Sequence, residues 1–338
     1  MKSIAVVLLN YNGLELLKQF LPEVIAHSPE ADVILVDNGS TDASVAHITA
    51  QYPELECICL AENLGYAGGY NAGLKKIKHP YYCLLNTDIS VPKGWLSPLL
   101  LHFETHPNTA ALQPHIKDFK QKDTFEYAGA AGGYIDKLGI PFCRGRLFTT
   151  LEKDEGQYAG AQKVFWASGA CFFIRSSVFH TLGGFDERFF AHQEEIDLCW
   201  RIHRSGGDVY ALSVVSVYHL GGATLAPSPR KVFLNHRNSL MMLQKNLPEK
   251  QRSTLIFQRL CWDGLIGIHH LLLGRIGSFW AVIRAHFAFY RLRKTPIIAD
   301  KLPAHMDYFP LSNSIIAYFL WNQKKFTLLK MNKKNKFS

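Results

Sequence analysis

The feature that most constrains the fold is an alternation in the first third of the chain, where short apolar runs are each followed by a polar turn and a helical segment. Ile4–Leu9, Val33–Val36, Leu55–Leu60 and Tyr81–Leu85 read as strands. Leu14–Ala26, a segment from about Ala43, and Tyr66–Ile77 read as helices. Strands alternating with helices of about a dozen residues call for a parallel sheet covered by helices on each side. The expected class is α/β with a mostly parallel sheet. Such sheets bind ligands at the carboxyl ends of their strands, and that is where the polar clusters of this chain fall.

Farther along, 119–163 is rich in Gly and aromatics and reads as loops and short hairpins. Val164–Arg175 regains strand character, Glu194–Ser205 reads as a helix, and Val209–His219 supplies one or two more strands. Beyond about Asn235 only helical patterns remain. The expected organisation is a catalytic domain over 1–235, in halves of about 1–118 and 119–235, followed by a helical region over 236–338 with a basic tail. The net charge of +9 suits a nucleic acid, a membrane surface or a phosphorylated small molecule. No interleaved basic and aromatic surface of a nucleic-acid binder is present in the first 235 residues, so no nucleic-acid partner is expected. The seven cysteines include no C-x-x-C pair, which points to reduced, buried thiols. No export signal precedes Asn10, and no run reaches the roughly 18 apolar residues of a membrane span, so a cytoplasmic protein is expected.

Four clusters carry chemistry. Asn10 and Asn12 follow the first strand, and Asp37 and Asn38 follow the second. Each alone is ordinary turn chemistry, but at neighbouring strand ends they form a polar cup in which Asp37 can accept from a pyrimidine N–H or a ribose hydroxyl. The run from Asn63 through Gly65 and Asn71 to Gly73 offers close backbone approach and a helix N-terminus suited to an anion. It has neither the Lys of a phosphate-binding P-loop nor the G-x-G-x-x-G spacing of a dinucleotide site. Asn86-Thr87-Asp88 sets a carboxylate at the rim of the fourth strand, where a hard divalent cation can bridge diphosphate oxygens. Last, Glu194, Glu195 and Asp197 crowd a helix start beside Phe189, Phe190 and Trp200. Like-charge crowding is expected to raise the pKa of one of the three toward base duty.

The strings VVLLNYNG, VDNGSTD, the run Asn63–Gly73, LLNTDI, WASGACFFIR and GGFDERFFAHQEEIDLCWR follow one another in an order that resembles glycosyltransferase family 2, most of all its bacterial rhamnosyltransferase-type branch. The resemblance covers about Ile4 to Asn238. It implies a GT-A fold, which is Rossmann-like, a nucleoside-diphosphate sugar donor, a divalent metal (Mg2+ or Mn2+) and inversion at the anomeric carbon. It makes Asp37 the nucleoside-binding Asp, with Asn10 in the same cup, and Asp88 the metal-binding Asp of a D-x-D signature whose first position here is Asn86. Glu195 resembles the base, with Glu where the family usually has Asp. His219 resembles a His that completes the metal site in some relatives, Trp166, Ser168 and Gly169 resemble the acceptor side, and Arg237 with Asn238 resembles a basic pair near the diphosphate. By the same analogy the acceptor is a saccharide or a lipid-linked glycan, with dTDP-rhamnose or a UDP-hexose as donor.

Two other classes compete. A sugar-nucleotide pyrophosphorylase needs a basic Gly-rich loop after the first strand, and Asn10–Gly13 brings no cation. A non-catalytic sugar-nucleotide-binding protein has no need of Asp88 and Glu195. In the C-terminal region Trp262, Phe279, Trp280, Phe287, Phe289 and Tyr290 alternate with Arg284, Arg291, Arg293 and Lys294, a mixture that suits peripheral contact with an anionic membrane at its inner face. The alternative is that these helices pack on the catalytic core.

Overall fold

The computed structural model describes residues 2–221, 228–293 and 308–332. Gly222, Lys294 and the end of the basic tail, 333–338, lie outside the described residues. The first third runs β1 (Ile4–Asn10), α1 (Leu14–His27), β2 (Ala31–Asp37), α2 (Ser44–Gln51), β3 (Glu56–Cys59), α3 (Gly65–Leu74) and β4 (Tyr81–Leu85). β1 is flanked by parallel β2 and β4, and β2 by parallel β3, which gives the order 3-2-1-4. Ile4 to Leu8 have no exposed surface, as a strand covered on both faces requires. α1 packs through Leu17, Phe20, Leu21 and Val24, one face of a 3.6-residue repeat.

β5 (Ile89–Ser90), α4 (Ser97–Thr105) and β6 (Thr109–Asp118) follow. The Gly-rich middle forms a small antiparallel sheet of β7 (Gly133–Ile135), β8 (Pro141–Cys143), β9 (Arg146–Leu147) and β10 (Thr150–Leu151), matching the expected hairpins. Next come β11 (Ala161–Lys163), β12 (Cys171–Arg175), α5 (Ser176–Thr181), α6 (Glu194–Arg204) and β13 (Asp208–His219). β12 enters antiparallel between β4 and β6, so the large sheet is parallel on one side and mixed on the other. The strand expected over Val164–Arg175 is shorter than its apolar run. Trp166 bridges to Gly133, the chain turns at Ser168, and pairing resumes only at Cys171.

α7 (Pro229–Asn246), α8 (Glu249–Leu272) and α9 (Ile276–Leu292) complete the described α-helices. The change of character near 235 falls inside α7. Tyr308, Phe309, Tyr318 and Phe326 then return to the apolar core that holds Tyr134, Phe142 and Trp200, so the helical region and the sheet share one interior. Four cysteines are buried, whereas Cys57 is half-buried and Cys59 and Cys261 are exposed, so the expectation of buried thiols holds for only part of the set.

Candidate active site

The order 3-2-1-4 places the chain reversal between β1 and β4, and the crevice beside such a reversal is where open α/β sheets bind ligands. At the end of β1, Asn10 Nδ2 donates to Asp37 Oδ1 at 2.9 Å and to Ser40 Oγ at 3.1 Å. Asp37 also accepts from Ser40 Oγ (2.6 Å) and Ser40 N (2.9 Å), and both Asn10 and Asp37 are buried. Asn10 Oδ1 is left without a partner. Asn12 serves this cup indirectly. It is exposed with φ 51°, and its Oδ1 accepts from Thr41 N and Asp42 N, bracing the loop after β2.

The Gly-rich run is packed into the fold. Asn38 Nδ2 donates to Asn63 Oδ1 and to the Gly65 carbonyl, and Asn38 Oδ1 accepts from Leu64 N, so these amides fasten the turn to β2. A Cβ on Gly65 collides with Phe190, on Gly69 it comes within 2.8 Å of Leu9, and on Gly73 within 2.5 Å of Val36. These glycines let α3 lie against the sheet and the Phe190 loop. The Phe190 carbonyl accepts from Ala67 N at 3.2 Å, over the helix N-terminus that the sequence suggested for an anion. Asn71 is withdrawn too. It donates to the Phe185 carbonyl (2.9 Å) and to Glu187 (3.0 Å) and accepts from Phe185 N (2.9 Å), tying α3 to the segment before α6.

At the end of β4, Asn86 N donates to the Ala170 carbonyl at 3.0 Å. Asp88 is buried, its Oδ1 lies 3.1 Å from His219 Nε2, and its Oδ2 has no partner. On the other face of His219, Nδ1 lies 3.1 Å from Glu126 Oε2. Burial works against a charge on His219, but its contacts with Asp88 and Glu126 outweigh it and push the imidazole up to about 10. Glu126 was not anticipated. It stands alone between Phe125 and Tyr127 in the segment read as loops, with no motif around it.

Mg2+ and Mn2+ are hard cations that commonly take one or two carboxylates and complete their shell with phosphate oxygens and water. The unpartnered, buried Asp88 Oδ2 suits such an ion, and His219 stands beside it. Among the described residues no three His, Cys, Asp or Glu side chains are arranged to hold a metal unaided. The residues present therefore fit one side of such a site, and its other positions would need oxygens from elsewhere.

The acidic helix start is reached through Gly169, one residue before Ala170. A Cβ on Gly169 comes within 2.8 Å of Tyr66 Oη and 3.8 Å of Glu195 Cγ, and the Gly169 carbonyl accepts from Tyr66 Oη at 2.7 Å. Glu195 is partly exposed at this point, and its Oε2 is enclosed without a partner. Burial raises Glu195 to about 7, although backbone donors at the start of α6 pull the other way. Burial, with the charge of Glu195 added, pushes Glu194 well above the carboxylate range, and its Oε2 is also unpartnered. The expected cause, like-charge crowding, is thus secondary to burial.

Asp197 points elsewhere. Its Oδ2 accepts from Arg201 Nε (2.9 Å) and Lys245 Nζ (2.8 Å) and its Oδ1 from Asn246 Nδ2 (2.8 Å), with no exposed surface. Burial raises its pKa, but Lys245 and Arg201 more than offset that and hold it below its usual value. Both oxygens accept from partners within the fold, and the lowered pKa makes Asp197 a weaker base than Glu195. Other sequence candidates are also engaged within the fold. Trp166 is buried with its Nε1 on the Tyr134 carbonyl at 3.0 Å, and Ser168 is buried with its Oγ on the Ala128 carbonyl. Arg237 Nη2 donates to the carbonyls of Arg188 (2.8 Å) and Phe189 (2.9 Å), and Asn238 Nδ2 reaches those of Phe189, Ala191 and His192.

That carbonyl clamp has a reason. Phe190, His192 and Gln193 all carry positive φ (64°, 71° and 71°) immediately before α6. Such backbone costs roughly 1–3 kcal/mol per residue and persists only where its surroundings hold it. The strained turn aims Glu194 and Glu195 while leaving His192 Nε2 and Gln193 Oε1 unpartnered. Burial, helped by Lys231, lowers His192 to about 4, so it is a neutral imidazole. Unpartnered buried polar atoms are rare in native proteins. Here Asn10, Asp88, His192, Gln193, Glu194 and Glu195 each carry one. By contrast, the groove of about 550 Å3 lined by Lys2, Ser28, Asp32 and Tyr52 opens at the amino ends of β1–β3, where Asp32 is already paired with Lys2 and His79.

Residues 5–183 match the family described as glycosyl transferase family 2. The chain is 28% identical over 258 residues to an N-acetylglucosaminyl-diphospho-decaprenol L-rhamnosyltransferase of Mycobacterium tuberculosis, an alignment spanning 70% of this chain and 83% of that one. It is 25% identical over 264 residues to the low-salt glycan biosynthesis hexosyltransferase Agl10 of Haloferax volcanii, spanning 75% and 80%. Among solved structures it resembles GalNAc-T7 with UDP, GalNAc and Mn2+ (TM-score 0.58, 16% identity, 74% of this chain and 49% of that one). It also resembles S. aureus TarS 1–349 in complex with UDP-GlcNAc (TM-score 0.56, 14% identity, 86% and 81%). At these identities the solved structures establish the fold, which is GT-A.

Proposed function

The chain belongs to glycosyl transferase family 2, and from that premise we propose an inverting sugar transferase whose base is Glu195. The observation that carries this reading is the state of Glu195, a carboxylate with one enclosed, unpartnered oxygen and a pKa raised by burial to about 7, beside the Gly169 backbone. A general base works best with a pKa near the working pH. Glu195 takes the proton of an acceptor hydroxyl, the oxygen attacks the anomeric carbon from the face opposite the diphosphate, and the nucleoside diphosphate leaves with inversion. Asp37 and Asn10 orient the nucleoside, while the Phe190–Gln193 turn holds Glu195 at its angle. Asp88 is the residue that would hold Mg2+ or Mn2+ through its unpartnered Oδ2, and His219 would join it only by giving up its Nε2 proton, with Glu126 then accepting from Nδ1 and fixing the imidazole. Bound there, the ion supplies positive charge against the departing diphosphate.

The donor proposed is dTDP-rhamnose or a UDP-hexose, and the acceptor a saccharide or lipid-linked glycan. The support is likeness to the mycobacterial rhamnosyltransferase, whose name carries a diphospho-decaprenol acceptor, and to structures holding UDP-sugar components. A cytoplasmic enzyme working at the inner face of the membrane follows from that acceptor, and among the described residues no helix is long and apolar enough to cross a bilayer. Donor hydrolysis measured across UDP-, GDP- and dTDP-sugars, with manganese or with EDTA, tests the proposal. One nucleotide class should be turned over, and EDTA should abolish the turnover. No hydrolysis of any sugar nucleotide contradicts the transferase reading, and full activity in EDTA removes the metal from it.

A further inference from the structure

α8 and α9 form a hairpin whose inner side is locked to the body. Asp263 accepts from Arg259 Nε at 2.7 Å and lies 2.8 Å from His236 Nδ1, and Arg259 Nη1 reaches the Leu138 carbonyl and Ser239 Oγ. Ala281, Val282, Ala285 and Phe289 give α9 its buried face. Among the described residues the opposite side has no partner. Along α8, Phe257 (67% exposed), Leu265 and Ile268 lead at helical spacing to Leu272 (80%), and α9 continues with Ile276, Trp280 and Phe287 (70%). Every residue from 271 to 277, LLLGRIG, is exposed, so the hairpin ends in an apolar tip open all round.

Charge is sorted along the same hairpin. From Gly264 to Arg293 there is no Asp or Glu, while Arg275 sits at the tip and Arg284, Arg291 and Arg293 stand progressively farther from it. An apolar end with arginines behind it, and a Trp and a Tyr on the exposed side, matches a bilayer interface, where acyl chains meet the tip and anionic headgroups meet the cations. A second copy of the chain fits poorly. A two-fold interface pairs a patch with itself, and this one would set arginines against their own symmetry mates.

We propose that the α8–α9 hairpin is a membrane-docking wedge, its Leu271–Ile276 tip entering the headgroup and acyl boundary of an anionic bilayer and Arg284 and Arg291 contacting the headgroups. This sharpens the membrane contact offered above by naming the surface, and its failure leaves the transferase reading standing.

The test is co-sedimentation of the full chain with phosphatidylcholine vesicles, with and without phosphatidylglycerol, at low salt, with donor hydrolysis in solution as a control of fold. The full chain should bind the anionic vesicles. Leu272→Glu with Trp280→Glu should lower that partition by about tenfold or more, since each change removes a large apolar side chain from the boundary. Arg284→Glu with Arg291→Glu should abolish the preference for anionic over neutral vesicles. Both variants change exposed residues, so hydrolysis should match the unmodified chain. Absence of binding at low salt overturns the proposal, as does undiminished binding by the tip variant. A solution dimer that the tip variant converts to monomer would instead make this face an interface between copies.

Discussion

Glu195 and Asp197 lie two residues apart on one helix and meet opposite surroundings. Glu195 keeps an enclosed oxygen without a partner, and burial lifts its pKa to about 7. Asp197 is gripped by Arg201, Lys245 and Asn246 and held below its usual pKa. Both are desolvated, so burial alone does not separate them. The difference is what α7 brings. Lys245 and Asn246 reach the inner side of α6, whereas the outer side faces the strained turn and the Gly169 backbone. One helix thus supplies a poised carboxylate and, half a turn on, the anchor that keeps it in place.

The comparison can be broken from either end. Glu195→Gln keeps shape and removes basicity, and transfer should fall about 10²–10⁴-fold with the melting temperature nearly unchanged. Near-normal turnover by this variant would move the role to Glu194. Asp197→Ala should act on the fold, because it strands Lys245 and Arg201 in the interior. The expected loss is about 3–5 kcal/mol in urea unfolding, and a loss below 1 kcal/mol would mean that the network relaxes without it. The third effect is smaller. Glu126→Gln leaves Asp88 intact but loosens His219, and the manganese concentration for half-maximal donor hydrolysis should rise about 10–100-fold, the usual range for a residue supporting a ligand. An unchanged manganese dependence would leave Glu126 a structural residue.

Much of this was legible in the chain before folding was considered. Short apolar runs such as Ile4–Leu9, alternating with helices, announce the strands of a covered parallel sheet, and Asp37 and Asp88 stand where those strands end. Residues two apart on a helix point about 200° away from each other, so Glu195 and Asp197 could never share one cleft, a separation that counting carboxylates along the sequence overlooks. Asn71, Trp166, Ser168 and Arg237 look like ligand-binding residues in sequence, but their partners lie far off along the chain. Asn71 is satisfied by Phe185 and Arg237 by the carbonyls of Arg188 and Phe189. The same distance hid Glu126, whose meaning comes only from His219. Glycines misled in another way. Their need for space is real, yet Leu9 of β1, Val36 of β2 and the Phe190 loop occupy that space.

The central claim is that burial sets Glu195 up as the base, and the pH dependence of kcat/KM for transfer tests it most directly, since that ratio reports ionisations of the free enzyme. With its pKa raised to about 7, Glu195 is protonated and unable to accept a proton below that point and becomes active as pH rises through it. The profile should therefore climb tenfold per pH unit on the acid side, level off above about 7, and lose this limb in Glu195→Gln. A profile that is flat down to the ordinary carboxylate range near pH 4.5, or one whose limb at 7 survives in Glu195→Gln, would contradict the account.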